Sequence, residues 1–60
     1  MRTANMTKYF RNRFVQGTVS LDEAVLIGWD DIAAGSQELD RLAIGDSARD
    51  NDGEYWERVS

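Results

Sequence analysis

Sixty residues suffice for one small domain, and a fold of this size buries only about 60% of the surface its unfolded chain exposes, so outside support is expected. The chain has no cysteine and no histidine, which removes disulfides and most structural metal sites and leaves self-association or a tight partner as the support. The net charge of −4 is unevenly spread: residues 1–21 carry +4 with no acid and residues 22–60 carry −8, which implies either a charged binding surface or two halves attracting each other across the fold.

Taken from the N-terminus, Arg2, Lys8, Arg11 and Arg13 occur without the apolar run of a secretory signal, and with no cysteine a cytoplasmic setting is expected. Met6, Tyr9, Phe10 and Phe14 recur at three- and four-residue steps, which predicts a helix ending near Gly17. The same stretch also alternates, with Phe10, Asn12 and Phe14 on one side and Tyr9, Arg11, Arg13 and Val15 on the other, so a strand over 8–15 is the alternative.

Ser20-x-x-Glu23 is a capping box, and Asp22 adds favourable charge to the same helix end. Leu21, Ala24, Val25, Trp29, Ile32 and Ala33 continue at helical spacing, which predicts one helix over about 20–34 with a bend or break at Gly28 and an end at Gly35. Ser36 can cap a third helix running to about Ile44, its Leu39, Leu42 and Ala43 inward, with Gly45 closing it. Residues 45–53 are acidic turn formers with little to bury and are expected to form a mobile loop. Glu54 to Val59 alternates as an extended segment, either an edge strand or a docking tail. The longest apolar run, Ala24 to Ile27, is far short of the roughly 20 residues that span a bilayer, so no membrane association is expected.

The expected fold is mainly α: a bundle of three short helices about Leu21, Val25, Trp29, Ile32, Leu39 and Leu42, with an extended C-terminal segment. The alternative is α+β, with segments 8–15 and 54–59 paired as antiparallel strands on two helices and Arg11 and Arg13 facing Glu54 and Glu57.

Acid-base and covalent catalysis need a positioned base and an activated nucleophile, and without histidine or cysteine only carboxylates, hydroxyls and Lys8 are left. Asp30 and Asp31 are adjacent, but neighbouring helical residues point about 100° apart and do not share one site. The Asp50, Asp52 and Gly53 run aligns with the middle of a calcium loop, yet Ala48 and Val59 stand where the first and last ligands belong. The chain is therefore read as a non-enzyme with no cofactor and no metal. Ala24 and Gly28 have the spacing of a helix-turn-helix, but the following helix would present Asp30, Asp31, Glu38 and Asp40 to phosphates, the wrong sign.

Binding remains, in three forms. An acidic surface of Asp22, Glu23, Asp30, Asp31, Glu38 and Asp40, with Tyr55 and Trp56 as aromatic anchors, would engage the basic groove of a larger, nucleic-acid-handling protein and imitate phosphates; Trp56, beyond a polar loop, either folds back onto the helices as core, the favoured reading, or stays available to the partner. In size and charge the chain is similar to small phage or mobile-element inhibitors of the anti-CRISPR and antirestriction type, a likeness of composition with no motif behind it. That likeness implies an inhibitor or modulator of a nucleic-acid-binding complex. The second form is direct nucleic-acid binding or regulation by Lys8, Tyr9, Arg11 and Arg13, disfavoured by the small number of cations. The third is an oligomeric structural subunit. A homodimer or a partner-stabilised chain is expected on size alone.

Overall fold

The computed structural model describes residues 7–60, so Arg2 and Met6 lie outside the described residues. The elements run β1 (Tyr9–Arg11), β2 (Val19–Ser20), α1 (Leu21–Gly28), α2 (Ile32–Asp40), β3 (Ser47–Arg49) and β4 (Tyr55–Arg58). The four strands form one antiparallel sheet in the order β2-β1-β4-β3. This overturns the expected three-helix bundle: the molecule is α+β, with two helices and a four-stranded sheet.

Burial decides between the two periodicities of the N-terminal segment. Phe10 is fully buried while Tyr9 and Arg11 on either side of it are exposed, the two-residue alternation of a strand with one covered face. Across the sheet Phe10 sits opposite Arg58 and Arg11 opposite Glu57, so the charges that suited the strand alternative do meet. The pairing reaches the end of the chain: the Tyr9 N–H donates to the Ser60 carbonyl at 3.0 Å, and the Val59 N–H to the Tyr9 carbonyl at 2.9 Å.

The alternation stops at Asn12, where a buried amide takes over. The Asn12 Oδ1 accepts from the Phe14 N–H at 2.7 Å, and its Nδ2 donates to the Tyr55 carbonyl at 3.1 Å. That turns the chain toward Gly17, whose φ of 68° is the left-handed conformation a side chain would resist. Phe14 is thereby left outside the core, and Val15 packs against it.

Ser20 caps α1 as its sequence predicts, with Oγ accepting from the Glu23 N–H at 3.3 Å, but the capping box is half formed: the Glu23 carboxylate does not take the Ser20 N–H in return. The predicted helix over 20–34 breaks after Gly28. There the Asn51 N–H donates to the Gly28 carbonyl at 3.0 Å, Asn51 Oδ1 takes the Asp30 N–H at 2.6 Å, and Asp31 caps a new helix by accepting from the Ala34 N–H at 3.1 Å. Gly35 does not end a helix. It lies inside α2 because the Trp29 indole packs on it, and a Cβ there would come within 2.6 Å of Trp29 Cγ. Ser36 accordingly caps nothing, and α2 stops at Asp40 rather than near Ile44, with the Lys8 ammonium bonded to the Asp40 carbonyl and carboxylate.

Residues 45–53, expected as a loop, contain β3, which pairs with β4 through Ala48 opposite Trp56 and Arg49 opposite Tyr55. Both helices lie on the sheet face that carries Phe10 and Trp56, α1 against β1 and β2 and α2 against β3. The core is Phe10, Ala24, Val25, Trp29, Leu39 and Trp56. Ile32, expected inside, is exposed at the start of α2, and Leu21 and Leu42 are only half-buried. Among the described residues no helix is long and apolar enough to cross a membrane.

Asp50 braces the β3–β4 hairpin. Its carboxylate accepts from Trp56 Nε1 at 3.0 Å and from the N–H groups of Asp52 and Glu54 at 2.8 and 3.0 Å. Burial pushes its pKa up, but the Trp56 indole and the backbone N–H groups of Glu54, Asp52 and Gly53 outweigh it and hold the carboxyl below its ordinary 3.8. A depressed folded-state pKa stabilises the fold above the unfolded value and loses that stabilisation as pH falls through the folded one. Asp50→Asn should therefore lower stability at neutral pH, with the gap to wild type closing on acidification below about pH 4, read from urea midpoints across pH. Gly35→Ala should gain about 1 kcal/mol of helix propensity but lose about 1–3 kcal/mol to the clash with Trp29. A net fall in urea midpoint is expected; an unchanged or higher midpoint would show that the indole has room to move.

Candidate functional site

The outer face of the sheet gathers the basic residues. Tyr9, Arg11, Ser47, Arg49, Tyr55 and Glu57 alternate outward along β1, β3 and β4, while Arg13 continues beyond β1. Between them runs an open groove of about 620 Å³ lined by Arg11, Asn12, Arg13, Glu54, Tyr55 and Glu57. The cations in it are already engaged. Arg11 pairs with Glu57 at 3.0 Å and Arg13 with Glu54 at 3.0 Å. Arg49 stacks on the Tyr55 ring, 5.0 Å from its centroid, and donates to its hydroxyl at 2.8 Å. Lys8 lies apart from this face, paired with Asp40 at 2.9 Å. The candidate nucleic-acid residues are thus split: Tyr9, Arg11 and Arg13 share the sheet face, and Lys8 serves the end of α2.

The helical layer has the opposite character. Asp22, Glu23, Asp30, Asp31, Glu38 and Asp40 are all exposed. Asp40 is held by Lys8 and Asp31 is spent on its cap. Among the described residues, the carboxylates of Asp22, Glu23, Asp30 and Glu38 have neither an ion pair nor a side-chain hydrogen bond. Among the described residues, the cation exposed beside this layer is Arg41, just past α2. The charge asymmetry of the sequence therefore has two parts in the fold: the basic segment is largely neutralised by Glu54, Glu57 and Asp40, and an unpaired acidic remainder is displayed by α1 and its neighbour.

Of the two proposed aromatic anchors, Tyr55 is 57% exposed on the sheet side, away from the acidic layer, and Trp56 is completely buried. Trp56 is core and cannot touch a partner, because strand alternation points it toward α1 while Tyr55 faces water.

Leu26 and Ile27 are surface residues the charge reading overlooks, 70% and 55% exposed on α1. The signal was present: positions 22, 23, 26 and 27 fall on one side of a helix, one turn apart, whereas Leu21, Ala24, Val25 and Gly28 fall on the other. Among the described residues no group of three or more metal-ligating side chains converges. No family model matches the sequence, and neither a curated protein nor a solved structure matches it.

Because the Arg11 and Arg13 pairs are exposed, each should contribute about 0–1 kcal/mol. The Arg11→Ala, Arg13→Ala double variant is expected to unfold within about 2 kcal/mol of wild type and to leave retention on single-stranded DNA unchanged. Loss of retention in that variant would assign the sheet face to nucleic acid.

Proposed function

We propose that the chain is a binding protein, not a catalyst, and that it modulates or inhibits a larger basic protein through the acidic helical layer. The observation that carries this reading is the unpaired set of exposed carboxylates on Asp22, Glu23, Asp30 and Glu38, on the opposite side of the molecule from the outer sheet face. A field of one sign over one layer attracts an oppositely charged surface and speeds encounter with it. The partner class is a protein with a positively charged groove, of the kind that handles nucleic acid, and the setting is the cytoplasm where such proteins work. In this reading the carboxylates stand in for phosphates, as they would in an inhibitor of the anti-CRISPR or antirestriction type.

The structure changes which residues make a clean test. Asp31 caps α2, so replacing it would cost stability as well as charge. Asp22, Asp30 and Glu38 have no such duty through their side chains. The triple variant Asp22→Asn, Asp30→Asn, Glu38→Gln should keep a stability within about 1.5 kcal/mol of wild type, since each surface change is worth up to about 0.5 kcal/mol. Affinity capture from the native host with both proteins is expected to recover a basic protein on wild type and to lose it on the variant, with the difference shrinking as salt rises. Equal recovery on both would refute the acidic layer as the binding surface, and recovery of nucleic acid itself would move the site to the sheet.

A further inference from the structure

We propose that the partner segment is amphipathic as well as basic: its apolar side seats on Leu26 and Ile27, and its cations meet Asp22 and Glu23 at one end and Asp30 and Asp31 at the other. This rests on the acidic-layer reading and sharpens it, because imitation of phosphates by charge alone has no use for two large exposed aliphatic side chains.

The placement follows from the geometry of α1. Asp22 and Glu23 stand one turn before Leu26 and Ile27, and Cα–Cβ bonds in a helix tilt toward its N-terminus, so the two aliphatic side chains lean over the turn that carries the acids. Beyond them the helix stops at Gly28, and Asp30 and Asp31 follow within three or four residues of Ile27, held in place by Asn51 and by the cap on α2. An apolar centre with a charged rim is the anatomy of a protein interface: the centre supplies burial, and the rim supplies orientation and speed of encounter.

Charge complementarity selects the occupant. A second copy docking through the same face would form an isologous contact, setting Asp22, Glu23, Asp30 and Asp31 against their own equivalents on a chain of net charge −4. Nucleic acid and anionic lipid are repelled by the same acids. A neutral apolar segment would leave the rim carboxylates desolvated without partners. A segment with leucine-like residues on one side and lysine or arginine on the other satisfies both parts of the face.

Two synthetic peptides of about 18 residues, five helical turns, test this. One alternates lysine and leucine at amphipathic helical spacing; the other keeps every lysine and replaces each leucine by serine. Titration calorimetry at about 0.15 M ionic strength compares wild type, Leu26→Ser with Ile27→Ser, the Asp22/Asp30/Glu38 triple variant, and Ile44→Ser, which removes an equally exposed aliphatic elsewhere. The lysine–leucine peptide should bind wild type and the Ile44 variant alike. It should bind the Leu26/Ile27 variant about tenfold or more weakly, as expected for losing two buried aliphatic contacts. The lysine–serine peptide should bind weakly and be indifferent to Leu26 and Ile27, while the triple variant should weaken both peptides. If the Leu26/Ile27 variant binds the lysine–leucine peptide as wild type does, the amphipathic inference is overturned, and a remaining effect of the triple variant leaves the acidic reading standing. Binding of neither peptide overturns both. A wild-type dimer in sedimentation that the Leu26/Ile27 variant abolishes would make the occupant a second copy and overturn the proposal as well.

Discussion

Trp56 is a completely buried indole, and a buried indole needs an acceptor for its one N–H. Asp50 is that acceptor, and much of the molecule is arranged around the pair. The same carboxylate takes two backbone N–H groups of the turn between β3 and β4, so satisfying the indole also shapes the hairpin that delivers it. The Cβ of Asp50 and the Nε1 of Trp56 lie where a side chain at position 28 would be, 2.8 and 2.9 Å from an ideal Cβ, which leaves room for glycine alone. Asn51, next in the turn, then takes over the end of α1 by bonding the Gly28 carbonyl and the Asp30 N–H. The turn that satisfies one ring nitrogen thus also meets the end of α1 and the start of the acidic connection to α2.

The fold also sorts charge. Strand pairing places Arg11 against Glu57, and the chain beyond β1 places Arg13 against Glu54, so the two acids of the C-terminal segment neutralise cations of the N-terminal one. Lys8 closes α2 through Asp40, and Arg58 reaches the Leu42 carbonyl at 2.8 Å. These contacts are exposed or half-exposed and individually weak, yet their effect on the surface is large because they pair Lys8, Arg11 and Arg13 with acids. The carboxylates of α1 and its following turn are left uncompensated.

Local chemistry was legible where one residue and its near neighbours decide the outcome. Ser20 with Glu23 announces a helix start, and Gly28 announces a break, because both act within a turn or two of themselves. The complementarity of Arg11 and Arg13 with Glu54 and Glu57 was readable as a strand pairing, but the three- and four-residue recurrence of Tyr9, Phe10 and Phe14 fitted a helix equally well. Only the buried place of Phe10 beside Trp56 breaks that tie. Gly35 misled for a related reason: a glycine is a helix end by local rules, and the indole that needs its missing side chain is a tertiary fact. The aspartates around position 50 resembled an incomplete ion site or a solvated loop, since nothing near them in sequence reveals that Trp56 donates to one of them. At the candidate surface the acids were legible from composition, and the inward stripe of Leu21, Ala24 and Val25 already placed Leu26 and Ile27 on the outer side of α1, where a reading by charge passed over them.

That side is not free to change. Leu21, Ala24, Val25 and Gly28 face inward, and Gly28 must lie against Asp50 and Trp56, so rotating α1 to bury Leu26 and Ile27 would drive Gly28 off its neighbours and expose Ala24 and Val25. The helix therefore carries apolar residues on two sides with interior available for one. In a chain this small the uncovered pair represents burial that the fold alone does not use. A partner that covers it binds the folded form and not the unfolded one, which raises stability by about 2.7 kcal/mol when the partner is present at a hundred times its dissociation constant. Under the proposed reading, binding and folding would be coupled through one short helix, anchored at one end by the Ser20 cap and at the other by Asn51, with the exposed Leu26 and Ile27 between them.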